Sequence, residues 1–311
     1  MTKVDELGGV AIEALAAYVP PRSVANDENV AKATGIAARR IAEDGETALD
    51  LSLRAAERLL AETGAGRDDF GAVVSVSFTQ HDRMPCSACQ AQSRLGLPKD
   101  VIAFDVMQAC AGYGYGLYLS ALLARQTGRK VLLLDGDRQS EFLDSSDAAT
   151  SPLLGDSGTA TIVAPSNGAA AWKFAFASDG EKGAALRLEN GGTIRMDGFG
   201  VFRFVATDVV AYLKLFLSSA ATGDDFLFAP HQANVYMVRQ LAKSVGISDD
   251  RLLVSADRFG NLSSASIPVT LAAHAEAVRG RNVLLAGFGG GLSVALGLVD
   301  IPADCAIFLV A

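Results

Sequence analysis

Gly128-Arg129-Lys130-Val131-Leu132-Leu133 returns as Gly280-Arg281-Asn282-Val283-Leu284-Leu285, about half a chain later. Each copy ends a long helical pattern and opens an apolar run of strand type. Each is followed by a Gly-rich segment, Gly155-Asp156-Ser157-Gly158 or Gly287-Phe288-Gly289-Gly290-Gly291, and then by another apolar strand. Helix-stop glycines before strands recur by chance; the other reading is a duplicated fold. On that reading the boundary falls in the small polar stretch Pro165-Ser166-Asn167-Gly168, giving halves 1–166 and 167–311. No low-complexity linker parts them, so they are expected to pack as one body.

Outward from these copies, short apolar runs alternate with longer helical patterns. Runs 72–78, 101–106, 130–134, 159–163, 226–229 and 282–286 read as buried strands. Between them, 47–63, 86–95, 111–127, 197–221, 232–245 and 264–279 carry apolar residues at helical spacing. Such alternation predicts a layered α/β fold with helices packed on sheets.

Composition narrows the function. At 311 residues, 50% hydrophobic and 20% charged, the chain has a globular composition with ample core. Net charge is -8 with no Lys/Arg run, which excludes a nucleic-acid groove built on a basic stripe. No segment reaches the roughly 20 apolar residues that span a bilayer. The four cysteines, Cys86, Cys89, Cys110 and Cys305, are too few for a disulfide scaffold. Residues 1–6 carry acids where a signal peptide would be apolar. A reduced, cytoplasmic enzyme or binding protein is the expectation.

Cys110 follows strand 101–106 and opens the helical run Ala111-Gly112-Tyr113-Gly114-Tyr115-Gly116-Leu117. A thiol at a helix N-terminus meets unpaired N–H groups and a positive dipole end, both of which lower its pKa. A small cysteine packed in a core gives the same pattern. His231, in Ala229-Pro230-His231-Gln232-Ala233-Asn234, ends a buried strand, where side chains point into α/β crevices. It serves equally as a helix cap. His81 and His274 read as structural or exposed. Asn261, in Phe259-Gly260-Asn261-Leu262-Ser263-Ser264, donates two hydrogen bonds without ionising, which suits a carbonyl that becomes an anion; an ordinary N-cap is the alternative. Gly287-Phe288-Gly289-Gly290-Gly291 lacks the spacing of a dinucleotide loop and instead lets backbone approach a ligand or neighbour. Cys86-Ser87-Ala88-Cys89 has metal-like spacing but no second pair, so it reads as helix packing, with no metal site.

Taken in order, Asp105-Val106-Met107-Gln108-Ala109-Cys110-Ala111-Gly112, Pro230-His231-Gln232-Ala233-Asn234, Phe259-Gly260-Asn261-Leu262-Ser263-Ser264-Ala265-Ser266-Ile267-Pro268 and Gly287-Phe288-Gly289-Gly290-Gly291 closely resemble the β-ketoacyl-acyl-carrier-protein synthase III family. Thr34-Gly35-Ile36, Met84-Pro85-Cys86-Ser87-Ala88-Cys89-Gln90 and Leu154-Gly155-Asp156-Ser157-Gly158 extend the likeness. The resemblance implies a thiolase-like, duplicated, five-layered αβαβα fold, with Cys110 in the first half and His231 and Asn261 in the second. It implies acyl transfer from a thioester to Cys110, then decarboxylative Claisen condensation with a malonyl-carrier whose carbonyl His231 and Asn261 bind. It places the oxyanion hole on the N–H groups of Cys110 and Gly291. No cofactor is implied beyond the thioester substrates: acyl-CoA or acyl-carrier, and malonyl-carrier. The partners implied are acyl carrier protein and a second copy of the chain, with the Met84 segment reaching toward the partner's pocket.

Departures from the family pattern fall where coenzyme A binds. The stretch Asn29-Val30-Ala31-Lys32-Ala33-Thr34 has no tryptophan, and Ala33, Ala148 and Tyr236 stand where the family has nucleotide-contacting or basic residues. Arg203, Arg239 and Lys243 remain as a docking patch for an acidic carrier. Met84, Phe142, Phe199 and Phe202 are the acyl-pocket residues expected from position. The expectation is therefore a synthase III of fatty-acid or specialised starter-unit biosynthesis that prefers a carrier-bound donor. An acyltransferase to an alcohol or amine is the alternative, and relatives of that kind often change the Asn. A non-catalytic interaction subunit is the second alternative, and it predicts loss of the nucleophile. Cys305 lies past the strand 293–299 and is discounted as a thiolase base.

Overall fold

The computed structural model describes residues 3–220 and 225–311; Met1, Thr2 and residue 221, the end of one helical pattern, lie outside the described residues. The first half runs β1 (Asp5–Leu7), β2 (Val10–Tyr18), β3 (Ser23–Ala25), α1 (Glu28–Thr34), β4 (Ala38–Arg40), α2 (Ala48–Thr63), β5 (Phe70–Val76), α3 (Ser87–Arg94), β6 (Ile102–Val106), α4 (Gly112–Thr127), β7 (Lys130–Arg138) and β8 (Asp156–Pro165). The second runs β9 (Trp172–Ser178), β10 (Leu186–Arg187), β11 (Arg195–Met196), α5 (Gly198–Phe204), α6 (Val210–Ser219), β12 (Leu227–Pro230), α7 (Val235–Ser244), α8 (Ala256–Phe259), α9 (Ser266–Ala273), α10 (Ala275–Val278), β13 (Arg281–Gly289), β14 (Ser293–Ile301) and β15 (Ala306–Val310).

Two large sheets result, ordered β15-β2-β8-β7-β5-β6 and β1-β9-β14-β13-β12. The echo in the sequence marks equivalent places in them. Gly128 and Gly280 both adopt left-handed φ (65° and 70°) and stop a helix, and β7 and β13 begin two residues and one residue later. Each of these strands pairs in parallel with one neighbour (β5, β12) and antiparallel with the other (β8, β14). The expected boundary at 166 falls between β8 and β9, yet neither half closes on itself. β1 crosses to pair with β9, and β15 returns to cover β2.

Burial sorts the elements into five layers. Tyr113, Leu117 and Ala121 of α4 and Ile267, Val269 and Leu271 of α9 fill the space between the sheets, against Val131 and Leu133 on one side and Val283 and Leu285 on the other. Outside the first sheet lies α2, started by a Thr47–Asp50 capping box and packed through Leu53, Leu59 and Leu60 on Leu132 and Leu134. Outside the second sheet, Leu213 and Phe216 of α6 and Val238 and Leu241 of α7 pack on Phe228, Leu284 and Leu296.

The helical pattern 197–221 is interrupted by one π turn at Val205–Val209. The pattern 264–279 breaks at His274, and the pattern from 111 begins with a 3₁₀ turn, Ala109–Ala111. Cys86 is the N-cap of α3, and Cys89 is exposed on it rather than packed. Among the described residues no helix is long and apolar enough to cross a membrane, and no cluster of three metal-binding side chains occurs.

Candidate active site

Cys110 stands in the 3₁₀ turn that leads into α4. Ala109 before it has φ 39°, a conformation costly for a residue with a Cβ and held by its surroundings. The end of β13 lies directly against this turn. A Cβ at 289 would stand 2.7 Å from Cys110 Cβ and 3.0 Å from its sulfur, so only glycine leaves the nucleophile its place. The backbone N–H groups of Cys110 and Gly290 bond to the sulfur. This corrects the sequence expectation of Gly291. β13 ends at Gly289, and the first N–H off the strand turns to the sulfur. Gly291, at φ 136°, belongs to the reversal into β14 and lies outside the cavity wall.

A second correction concerns the thiol's state. Burial pushes Cys110 up to about 12, against the pull of the Ser263 hydroxyl and the two N–H groups, while Asp137 pushes it further up. Desolvation outweighs the helix terminus, and the sulfur rests as a neutral thiol.

His231 leaves the end of β12, its own N–H bonded to the Ala286 carbonyl at 2.8 Å. Nδ1 lies 3.0 Å from both the Ser263 carbonyl oxygen and Ser266 Oγ. Burial lowers this imidazole to about 4, so it is neutral at pH 7. Its edge meets the Phe288 ring with centroids 5.3 Å apart. Gln232 braces the turn after it, donating to the Pro230 and Leu253 carbonyls and accepting from the Ser255 N–H.

Asn261 is held at both ends. Its N–H donates to the Leu153 carbonyl, and its carbonyl accepts from Gly155 N–H and Gln139 Nε2. Oδ1 accepts the Ser263 N–H at 3.0 Å, which fixes the amide orientation and leaves both Nδ2 hydrogens free to donate.

Cys110, His231 and Asn261 line one cavity of about 290 Å³. Its wall is apolar: Phe78, Leu153, Leu154, Leu186, Leu188, Ile194, Met196, Val201, Met237 and Phe288. The acyl-pocket residues expected from sequence are not in that wall. Met84 is 87% and Phe199 75% exposed in the single chain. Phe202 lines the groove at the cavity mouth, and Phe142 an adjoining groove with Cys86 and Met107 that shares Phe78, Ala109, Leu186, Leu188 and Gly290 with the cavity. The reason is that α5 turns Val201 inward and leaves Phe199 and Phe202 facing solvent.

The mouth groove shares Asn234 and Met237 with the cavity and adds Ala33, Phe202, Tyr236, Arg239 and Lys243. Arg203 lines the next hollow with Lys182, Asp197 and Asp208. Asn234 itself caps α7, its side chain accepting the Met237 N–H. Ala148 is exposed, as is His81, and His274 Nδ1 lies against the Thr270 carbonyl. Cys305 is buried between β14 and β15, away from the cavity. Sequence reasoning gave no role to Asp135, Asp137 or Ser263. Two acids at alternate positions closing an apolar strand, Leu132-Leu133-Leu134-Asp135-Gly136-Asp137, were the available signal.

The sequence model for 3-oxoacyl-[acyl-carrier-protein (ACP)] synthase III matches residues 104–180, and its C-terminal counterpart matches 219–301. A β-ketoacyl-[acyl-carrier-protein] synthase III of Halalkalibacterium halodurans is 32% identical over 91% of this chain and 93% of its own length. The chain belongs to the 3-oxoacyl-acyl-carrier-protein synthase III family. Among solved structures, a 3-oxoacyl-(acyl-carrier protein) synthase from Burkholderia xenovorans LB400 superposes with a TM-score of 0.94 at 29% identity, covering 99% of this chain and 98% of that one. The priming β-ketosynthase of the R1128 polyketide pathway gives 0.85 at 28% identity, covering 96% and 98%. The five layers are those of this family of thiolase-like synthases.

Proposed function

We propose that this synthase III homologue loads an acyl group on Cys110 and extends it with a malonyl-carrier. The observation that carries the reading is the shared cavity: one thiol, one neutral imidazole and one amide with its N–H groups free face the same apolar space. The Cys110 sulfur attacks the donor thioester, and the donor thiolate leaves. The N–H groups of Cys110 and Gly290 hold the oxyanion. The malonyl-thioester then loses CO2, and its carbonyl oxygen takes the developing charge. Asn261 Nδ2 donates to that oxygen, and His231 Nε2 does so once the Ser266 hydroxyl, which donates to the Ser263 carbonyl at 2.7 Å, turns its proton to Nδ1. Two neutral donors stabilise the enolate without protonating it. Its carbon attacks the acyl carbonyl, and Cys110 leaves with the carbon–carbon bond formed. No resident cofactor takes part.

The apolar wall suits a hydrocarbon acyl chain. Ala33 and Tyr236 in the mouth groove offer no charge to a nucleotide, while Arg239 and Lys243 offer two cations to an acidic carrier. The donor is therefore an acyl-carrier protein, and the product a 3-oxoacyl-carrier that starts a fatty-acid or specialised chain. The enzyme works in the cytoplasm as a homodimer joined through β6, which ends its sheet with one side unpaired.

Intact-mass spectrometry with a panel of acyl-carriers and acyl-CoAs tests this reading. The expected result is a single acyl adduct on Cys110, formed faster from carriers and absent in Cys110→Ala. No adduct from any donor would overturn the enzyme reading. Faster loading from acyl-CoA would overturn the donor preference alone.

A further inference from the structure

Asp135 and Asp137 lie two residues apart on β7 and so share one face, the face whose Val131 and Leu133 join the core between the sheets. Asp137 is 1% exposed. Its Oδ1 accepts from Ser77 Oγ, Thr79 Oγ1 and Phe78 N, each at 2.9 Å, and from Thr79 N at 3.2 Å. Its Oδ2 is buried without a hydrogen-bond partner. The Ser263 hydroxyl acts on this carboxylate from the facing turn. Ser263 is fully buried, sits at φ 54°, and places the same hydroxyl 3.9 Å from Cys110 Sγ. A left-handed serine is a costly conformation, and here it aims one hydroxyl between a thiol and a carboxylate with a free oxygen.

We infer that Ser263 and Asp137 form a relay that removes the thiol proton of Cys110 during acyl loading. The inference rests on the reading of Cys110 as acyl acceptor. The Cys110 proton passes to Ser263 Oγ as the Ser263 hydroxyl proton passes to Asp137 Oδ2, leaving a thiolate and a neutral carboxyl. The thiolate forms its bond to the acyl carbon, and the carbon–sulfur bond to the donor breaks. The departing thiolate takes the proton back along the same path, so Asp137 ends ionised. Ser263 touches the reacting sulfur; Asp137 is a positioning residue that acts through it.

The resting thiol needs such an acceptor, because burial opposes its ionisation. His231 is a poor one, being held near 4, whereas burial raises Asp137 to about 6, closer to the working pH and ionised there. The titratable groups facing Asp137 are Cys110 and, on its own strand, Asp135. Burial raises Asp135 well above the ordinary carboxylate range, and its Oδ1 takes the Ser264 hydroxyl at 2.6 Å. The Ser77–Thr79 segment and the Ser263–Ala265 turn bring hydroxyls but no charge, and β8 faces Asp137 with Ser157.

The test is carried out on Ser263→Ala and Asp137→Asn, both checked by thermal melting. Ser263→Ala keeps the backbone N–H that holds Asn261. Iodoacetamide alkylation of Cys110 is followed from pH 6 to 10, alongside single-turnover acyl loading and CO2 release from enzyme acylated beforehand. Each folded variant should load at least ten-fold more slowly at pH 7. Ser263→Ala should also alkylate at least ten-fold more slowly, with its midpoint moved to higher pH, whereas Asp137→Asn removes a charge that raises the thiol and should leave the midpoint level or lower. Loading should fall at least ten times further than CO2 release. Alkylation of Ser263→Ala at the wild-type rate and midpoint would overturn the relay, as would equal losses in loading and CO2 release in either variant, the signature of a merely structural role. If Asp137→Asn does not fold, Ser263→Ala decides alone. A wild-type enzyme that alkylates but never acylates would instead overturn the functional reading.

Discussion

β7 and β13 begin with the same words and end with different ones. Counted from their shared Gly-Arg start, Asp135 and Asp137 of the first correspond to Gly287 and Gly289 of the second. Both pairs face the space between the sheets; the glycines meet the Cys110 turn, and the aspartates act on Cys110 and Tyr113 through charge. The glycines remove side chains so that the Ala109–Ala111 turn can lie against the strand. The aspartates add carboxyls that tie down the Ser77–Thr79 segment and the Ser264 hydroxyl. Duplication supplied one frame twice, and the chemistry lives where two positions of that frame diverged: room on one side of the nucleophile, polarity on the other.

The largest way to break the comparison is to give β13 a side chain. Gly289→Ala drives a Cβ into Cys110 and should cost acyl loading about 10²-fold or more, since displacing a reacting atom by about 1 Å has effects of that size. Loading of this variant near the wild-type rate would show that the turn yields and the glycine is incidental. Next comes Asn261→Ala, which removes the donor amide from the second half alone. Condensation should fall by about 10²- to 10³-fold, with loading within a few-fold. If both half-reactions fall together, the assignment of Asn261 to the malonyl step is wrong.

Asp137→Asn sharpens the contrast through pH and stability. A carboxyl raised in the folded state from 3.8 to about 6 stabilises the fold below pH 4, and that contribution is lost as pH rises through 6. Between pH 4 and 7 the wild type should therefore lose about 2 kcal/mol that the variant does not. Denaturant unfolding of both proteins at the two pH values measures the difference. The smallest effect belongs to the mouth groove. Arg239→Glu with Lys243→Glu should raise KM for carrier substrates about five-fold at low salt and less at high salt, with acyl-CoA loading unmoved.

Legibility in the sequence followed how local each feature is. Runs such as Val131–Leu134 and Val283–Ala286 declare buried strands by composition, and Gly128 and Gly280 declare the helix ends before them. β2 does not declare itself. Val10–Tyr18 is alanine-rich, and its register shifts between Ile12 and Ala14, so period-two alternation fails; its strand state comes from β8 and β15 on either side. β1 and β15 exchange partners across the halves, a choice no local pattern encodes. In the site, Cys110, His231 and Asn261 were legible because each sits in a family motif at an element's end. Gly290 was missed by one residue because three consecutive glycines look alike until the turn into β14 is drawn. The cavity wall was misread at Phe199 and Phe202 because the inward face of α5 depends on tertiary packing. Ser263 and Asp137 escaped because their meeting crosses between the two halves.

The most direct test of the account follows the second substrate rather than the first. Wild-type enzyme, acylated beforehand and mixed with malonyl-carrier, should release one CO2 for each Cys110 freed and yield one 3-oxoacyl-carrier, while His231→Ala and Asn261→Ala stay acylated. Discharge of Cys110 without CO2, or CO2 release that survives the loss of both side chains, would contradict it.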